Sequence, residues 1–246
     1  MNNVKLIASD MDHTLLTEKG ELPPNFDQYI LELDKLGIVF AIASERALYT
    51  LEDMFPEIKD KICFISDNGG IISYKGEVIF KSLLKPADYQ PMIRFVEDNT
   101  NGIAILCGLD SAYIAGKYKG NEAFLKTFYS NITFVEELDQ VITEAAKLTI
   151  YFPNKNSKQY FEETFKPKYG YDFSVTAEDA IWIDIMNHGI NKGKAMKVLG
   201  ERLGKDSEQM MVFGDMEQYA SYAADSNDHF GVLKSIEKIL EIHGKK

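Results

Sequence analysis

Val4-Lys5-Leu6-Ile7-Ala8-Ser9-Asp10-Met11-Asp12-His13-Thr14-Leu15-Leu16 is the stretch on which the reading of this chain turns. Its first six residues are a short apolar run that reads as a buried strand. Two carboxylates, Asp10 and Asp12, follow where that strand ends. Paired in salt bridges, they would be structural. Sharing a divalent cation, the first could attack phosphorus and the second move a proton. The choice depends on what the rest of the chain brings to the same strand end.

Downstream, strand and helix alternate. Pro24–Leu36 has apolar residues near helical spacing and is stopped by Gly37. Ile38–Ala43 reads as a second buried strand, Arg46–Met54 as a helix ended near Pro56, and Ile62–Ile65 as a third strand. Such alternation implies parallel pairing with right-handed crossovers. Gly70–Phe80 reads as a hairpin turning at Lys75-Gly76. From about Leu84 to Ile185 the order becomes helix, strands, helix, strand, helix, strands, with Ala104–Cys107, Leu148–Phe152 and Ala180–Ile185 as strands and Ser157–Phe165 as a helix. The first pattern then resumes with a helix over Lys192–Leu203, a strand over Gln209–Phe213 ending at Gly214-Asp215, and a helix over Val232–Ile242. The expected fold class is α/β, a Rossmann-like parallel-sheet core with an inserted α/β domain. Residues 1–83 and 189–246 form the core, and 84–188 the insertion.

The bulk numbers agree with a folded enzyme-sized chain. It has 246 residues, 45% of them hydrophobic, enough for a real core. A formal net charge of −11 argues against nucleic acid or an anionic membrane as partner. A phosphorylated small molecule needs only local positive charge and is not excluded. Cys63 and Cys107 lie in apolar runs without Cys-x-x-Cys spacing and read as buried free thiols. Neither a signal-peptide pattern nor a run of about 20 apolar residues occurs, so a cytoplasmic protein, monomer or homodimer, is expected.

Ligands of an open parallel sheet bind outside the carboxyl ends of its strands. Four stretches converge there in this reading: Ser9-Asp10, Ala43-Ser44, the loop before Lys192, and Phe213-Gly214-Asp215. They supply carboxylates, a hydroxyl and an ammonium, the set that phosphoryl transfer requires.

On these residues the chain resembles the haloacid dehalogenase-like hydrolase superfamily, in its Cof-type sugar-phosphatase branch, over nearly its whole length. Asp10-Met11-Asp12-His13-Thr14 stands for the family's Asp-x-Asp-Gly-Thr. The resemblance makes Asp10 the nucleophile that forms an aspartyl-phosphate. Asp12 becomes the acid that protonates the leaving alcohol and then deprotonates water, with its carbonyl in the metal shell. Ser44 would bind a phosphoryl oxygen, and Arg46 would reach substrate. Glu45 replaces the branch's glycine, adding negative charge beside a phosphate site. In Asn191-Lys192-Gly193-Lys194, Lys192 would neutralise charge on the nucleophile and phosphoryl group. Asn68 of Asp67-Asn68-Gly69-Gly70 would face substrate. Asp10, Asp12 and Asp215 would hold Mg²⁺, since hard oxygen donors suit it better than zinc. The insertion would be a cap that closes over the site.

The fourth motif departs from the family. Gly214-Asp215 is present, but Gln218-Tyr219 stands where Asn-Asp is expected, and Ser226-Asn227-Asp228 follows only a few residues later. The resemblance implies an internal deletion, leaving the second part of the core shortened after Asp215. The implied function is Mg²⁺-dependent hydrolysis of small phosphomonoesters such as sugar phosphates. The alternative is a catalytically weakened relative that binds phosphorylated metabolites.

Overall fold

The computed structural model describes residues 1, 3–214 and 230–244. In chain order its elements are β1 (Leu6–Asp10), α1 (Phe26–Lys35), β2 (Val39–Ala43), α2 (Leu48–Met54), β3 (Ile62–Ser66), β4 (Ile71–Tyr74), β5 (Glu77–Lys81) and α3 (Pro86–Asn99). There follow β6 (Ile103–Gly108), β7 (Ala112–Ala115), α4 (Glu122–Leu125), β8 (Ile132–Val135), β9 (Ala145–Tyr151), α5 (Ser157–Tyr160) and α6 (Lys166–Tyr169). The chain continues through β10 (Phe173–Glu178), β11 (Trp182–Asn187), α7 (Lys192–Leu203), β12 (Met210–Phe213) and α8 (Gly231–Gly244). Two compact units result. One comprises Met1–Glu45, Met54–Phe80 and the chain from Lys192 onward, the other Arg46–Asp53 and Lys81–Asn191.

Among the described residues, the first unit is built on a six-stranded sheet in the order β12-β1-β2-β3-β4-β5. Strands β12, β1, β2 and β3 run parallel, and β4 is antiparallel to β3. All five residues of β1 are buried, as an apolar run with parallel neighbours on both sides requires. Alternation sends Ala41 and Ala43 to one face, where they meet Ala195, Met196 and Leu199 of α7. Phe40 points to the other face, and its ring lies 5.5 Å from Phe26 of α1, edge to face. Tyr29 of α1 donates a 2.7 Å hydrogen bond to Glu237 of α8, so these two helices share a face. Helix α1 ends as its sequence predicts: Gly37 takes a φ of +67°, and the Ile38 amide reaches back to the Leu33 carbonyl at 3.0 Å. The hairpin also turns where expected, with Lys75 and Gly76 both at positive φ, the conformation a two-residue turn needs.

Register fixes what the sheet presents at its carboxyl edge. Asp10 pairs with Ala43, Ala43 with Ile65, and Ser9 with Phe213. The residues that come next, Ser44, Ser66 and Gly214, therefore emerge with Asp10 along one edge.

The second unit has its own six-stranded sheet, in the order β10-β11-β9-β6-β7-β8. It is antiparallel except for the β7–β8 pair. One face carries Leu106, Leu148, Ile150, Ile183 and Ile185 against Tyr89, Ile93 and Val96 of α3 and against Phe165. The other face carries Ile103, Ile105 and Cys107 under Leu125 and Tyr129. A buried ion pair interrupts this second face: Lys147 Nζ donates to Asp184 Oδ2 at 2.6 Å, and Thr149 Oγ1 donates to Asp184 Oδ1 at 2.5 Å. Trp182 packs, as its strand position suggests, in a cluster with Phe124, Phe128 and Tyr151. Ser157–Phe165 is not a single regular helix. The turn widens at Phe161–Phe165 before α6, which contains Pro167. Both cysteines are buried thiols outside any disulfide, and burial pushes the Cys63 thiol well above its ordinary pKa. No helix among the described residues is long and apolar enough to cross a membrane.

Candidate active site

Asp10 is the last residue of β1 and is 6% exposed. The chain leaves the strand in a loop closed by the Leu16 amide on the Met11 carbonyl at 2.9 Å. Within that loop Asp12 is extended, with φ −71° and ψ 135°, and His13 is left-handed, with φ 58°. The left-handed position explains why a glycine suits this point of the motif. Histidine is among the residues that tolerate it. The His13 ring is solvent-exposed, with Nδ1 3.5 Å from Glu18 Oε2, so it accommodates the turn at the surface.

The end of β12 presses on this loop. Gly214 has a φ of +98°, and a Cβ there would lie 2.5 Å from the Asp10 Cβ and 3.0 Å from the Thr14 hydroxyl. Conformation and space both demand glycine. The chain therefore passes within contact of the Asp10 side chain one residue before Asp215. Asp215 itself lies outside the described residues, as do Gln218-Tyr219, Asn227 and Asp228.

Lys192, the first residue of α7, reaches the same carboxylate: Nζ donates to Asp10 Oδ1 at 2.5 Å. It also makes an ion pair with Glu45 Oε1. Burial by itself would lower the ammonium's pKa. The charges of Glu45 and Asp10 outweigh it and hold the pKa above the ordinary lysine value, so Lys192 is a fixed cation at neutral pH. Glu45 enters the sequence reading only as an added negative charge. The structure makes it the second partner of the site lysine. Its one visible signal is an acid where the resembling branch has glycine.

Ser44 is fully buried just beyond β2. Its amide donates to the Ile65 carbonyl at 2.9 Å, and its own carbonyl accepts from the Asn68 amide at 3.1 Å. The Asp67-Asn68-Gly69 turn, with φ of 52°, 55° and 92°, rests on α7, the helix that carries Lys192. Asn68 is thus buried and tied by its main chain to Ser44. Asp10, Lys192, Ser44 and Asn68 all belong to the first unit. Arg46 groups with the second, where Nη1 donates to the Thr127 carbonyl at 3.1 Å and the guanidinium sits 5.7 Å above the Phe128 ring.

For a metal, the described donors are Asp10 and Asp12, both hard oxygens. Among the described residues no group of three or more His, Cys, Asp or Glu is placed to hold an ion. The third candidate, Asp215, follows the glycine that abuts Asp10. Its residue type fits a hard divalent cation rather than a thiophilic one.

The site thus gathers a buried carboxylate at a strand end, a lysine bonded to it, a buried serine at the end of the neighbouring strand and a glycine-tight approach of the chain. The family model for haloacid dehalogenase-like hydrolases matches residues 7–218. The chain is 26% identical to a 5-amino-6-(5-phospho-D-ribitylamino)uracil phosphatase of Escherichia coli, covering 97% of each chain. It superposes on a crystal structure of a Streptococcus mutans protein with a TM-score of 0.85 at 26% identity, over 97% of this chain and 99% of that one. It shares the fold of a subclass IIB sugar phosphatase of the haloacid dehalogenase superfamily, with a TM-score of 0.74 at 18% identity and coverage of 97% and 100%. A match spanning most of the chain, with a strand-end aspartate at its start, settles the assignment: this chain belongs to the haloacid dehalogenase-like hydrolase family.

Proposed function

We propose that the protein is a Mg²⁺-dependent phosphatase of small phosphomonoesters, working through an aspartyl-phosphate on Asp10. The observation that carries this reading is the contact of Lys192 with a buried, strand-end Asp10. An ammonium on one carboxylate oxygen fixes the rotamer of the nucleophile and offsets the repulsion between it and an incoming phosphate anion. In the first half-reaction an Asp10 oxygen bonds to phosphorus while the bond to the leaving oxygen breaks. Asp12 gives its proton to that leaving alkoxide. In the second, a water oxygen attacks the same phosphorus as Asp12 takes the water's proton. The phosphorus–Asp10 bond then breaks, releasing inorganic phosphate and restoring the carboxylate. Ser44 and Lys192 bind the phosphoryl oxygens, and Asn68 serves the substrate. Asp10, the Asp12 carbonyl and Asp215 would hold a Mg²⁺ ion, which would supply additional positive charge at the phosphoryl group.

The Escherichia coli relative is a 5-amino-6-(5-phospho-D-ribitylamino)uracil phosphatase by name, and a fold neighbour is a sugar phosphatase. Polyol and sugar phosphates in a Cof-type enzyme are therefore the class to test. A panel of hexose and pentose phosphates, ribitol 5-phosphate and 5-amino-6-(5-phospho-D-ribitylamino)uracil, assayed by phosphate release, is expected to give at least one substrate with kcat/KM in the ordinary enzymatic range, ~10⁴ M⁻¹s⁻¹ or above. Binding without release across the whole panel would favour the alternative, a weakened relative that holds phosphorylated ligands. The pairing of Glu45 with Lys192 is the observation on that side.

A further inference from the structure

Lys192 stands between two carboxylates that arrive from different strands. Asp10 closes β1, and Glu45 follows Ser44 at the end of β2. The side chains of Lys192, Asp10 and Glu45 are 12%, 9% and 23% exposed, so the three-membered bridge is largely shielded from solvent screening. One ammonium against two carboxylates leaves this trio with one excess negative charge. A phosphomonoester brings more negative charge to the same edge, where Ser44 lies directly beside Glu45.

We propose that Glu45 is an affinity-setting residue, an internal anion that occupies the site lysine and that the phosphoryl group must displace. The inference rests on the phosphatase reading and adds to it what limits phosphate affinity. The physical basis is competition for a single ammonium. Each oxygen of Glu45 held on Lys192 is a contact that a phosphoryl oxygen forgoes, and its charge repels the phosphate as well. The consequence is a site that holds inorganic phosphate weakly and lets it go readily, since the carboxylate returns to the lysine as the product leaves. Substrates are then discriminated by contacts to their leaving groups more than by the phosphate.

The test is calorimetric titration of inorganic phosphate into the full chain with Mg²⁺ present, comparing wild type with Glu45→Gln and Glu45→Asp. Glutamine keeps shape and hydrogen bonding but removes the charge. Phosphate is expected to bind Glu45→Gln on the order of three- to tenfold more tightly, KM for a phosphomonoester to fall with it, and Glu45→Asp to return toward wild type. Placing Glu45→Gln in a Lys192→Met background should erase the gain. A gain that persists there would overturn competition for the lysine. Should that double variant fail to fold, the Glu45→Gln comparison still decides. Unchanged or weaker phosphate binding in Glu45→Gln, in a protein whose wild type hydrolyses phosphomonoesters, would overturn the role of Glu45 alone. A wild type that neither binds phosphate nor hydrolyses any ester would overturn the phosphatase reading and this inference together.

Discussion

The position of the Asp10 carboxylate depends on a residue with no side chain. Gly214 combines a left-handed backbone with a packing distance that leaves no room for a methyl group beside Asp10 and Thr14. Gly214→Ala is expected to displace the carboxylate and lower kcat by at least ~10²-fold, because small misplacements of a reacting group have effects of that size. Steady-state kinetics on a variant shown to be folded by circular dichroism checks this, and wild-type kcat would refute it. Much at this scale is legible in the sequence. Asp10 and Ser44 stand out because strand-end position and residue type together suggest chemistry, and Asp12 and Lys192 stand out through the family motifs they resemble. The partnership of Glu45 with Lys192 is not legible, since 147 positions separate them and only the fold brings them together. The left-handed turn at His13 is half legible: the expected glycine marks a special backbone, but the outward course of the histidine ring needs coordinates.

Among the elements, the parallel strands β1, β2 and β3 announce themselves as apolar runs because they are buried on both faces. The second unit's sheet is harder to delimit. β8 and β10 are half-buried throughout and interrupted by polar residues, and β7, though apolar, has only four residues. Lys147 and Asp184 look like solvent-facing charges in strands β9 and β11, yet they form a buried pair because adjacent strands bring them to the same face. Removing one partner from such a pair leaves an uncompensated buried charge. Lys147→Ala is expected to lower unfolding stability by about 3–5 kcal/mol, and Lys147→Met with Asp184→Leu to recover most of it. Urea denaturation of the three proteins measures both quantities. A loss below about 1 kcal/mol for the single variant would contradict the reading of the pair as truly desolvated.

For the whole molecule, the first unit is discontinuous: Arg46–Asp53 and Lys81–Asn191 interrupt it, and α7, β12 and α8 belong to it. The helix Arg46–Met54 follows the strand–helix alternation of the first unit, but most of it is packed with the second. Tyr49 joins Tyr129 and Phe128 there, and the Ser130 amide donates to Thr50 Oγ1 at 3.1 Å. Periodicity detects a helix, but it does not say which sheet the helix will cover. The family assignment rests on a match across residues 7–218, and the proposed chemistry rests on Asp10. The most direct test is hydrolysis of para-nitrophenyl phosphate with Mg²⁺ and with EDTA, by wild type and by Asp10→Asn. Turnover that requires Mg²⁺ and falls to background in a folded Asp10→Asn variant is the predicted result. Turnover that survives the substitution, or that is indifferent to EDTA, would contradict an aspartyl-phosphate mechanism at this site.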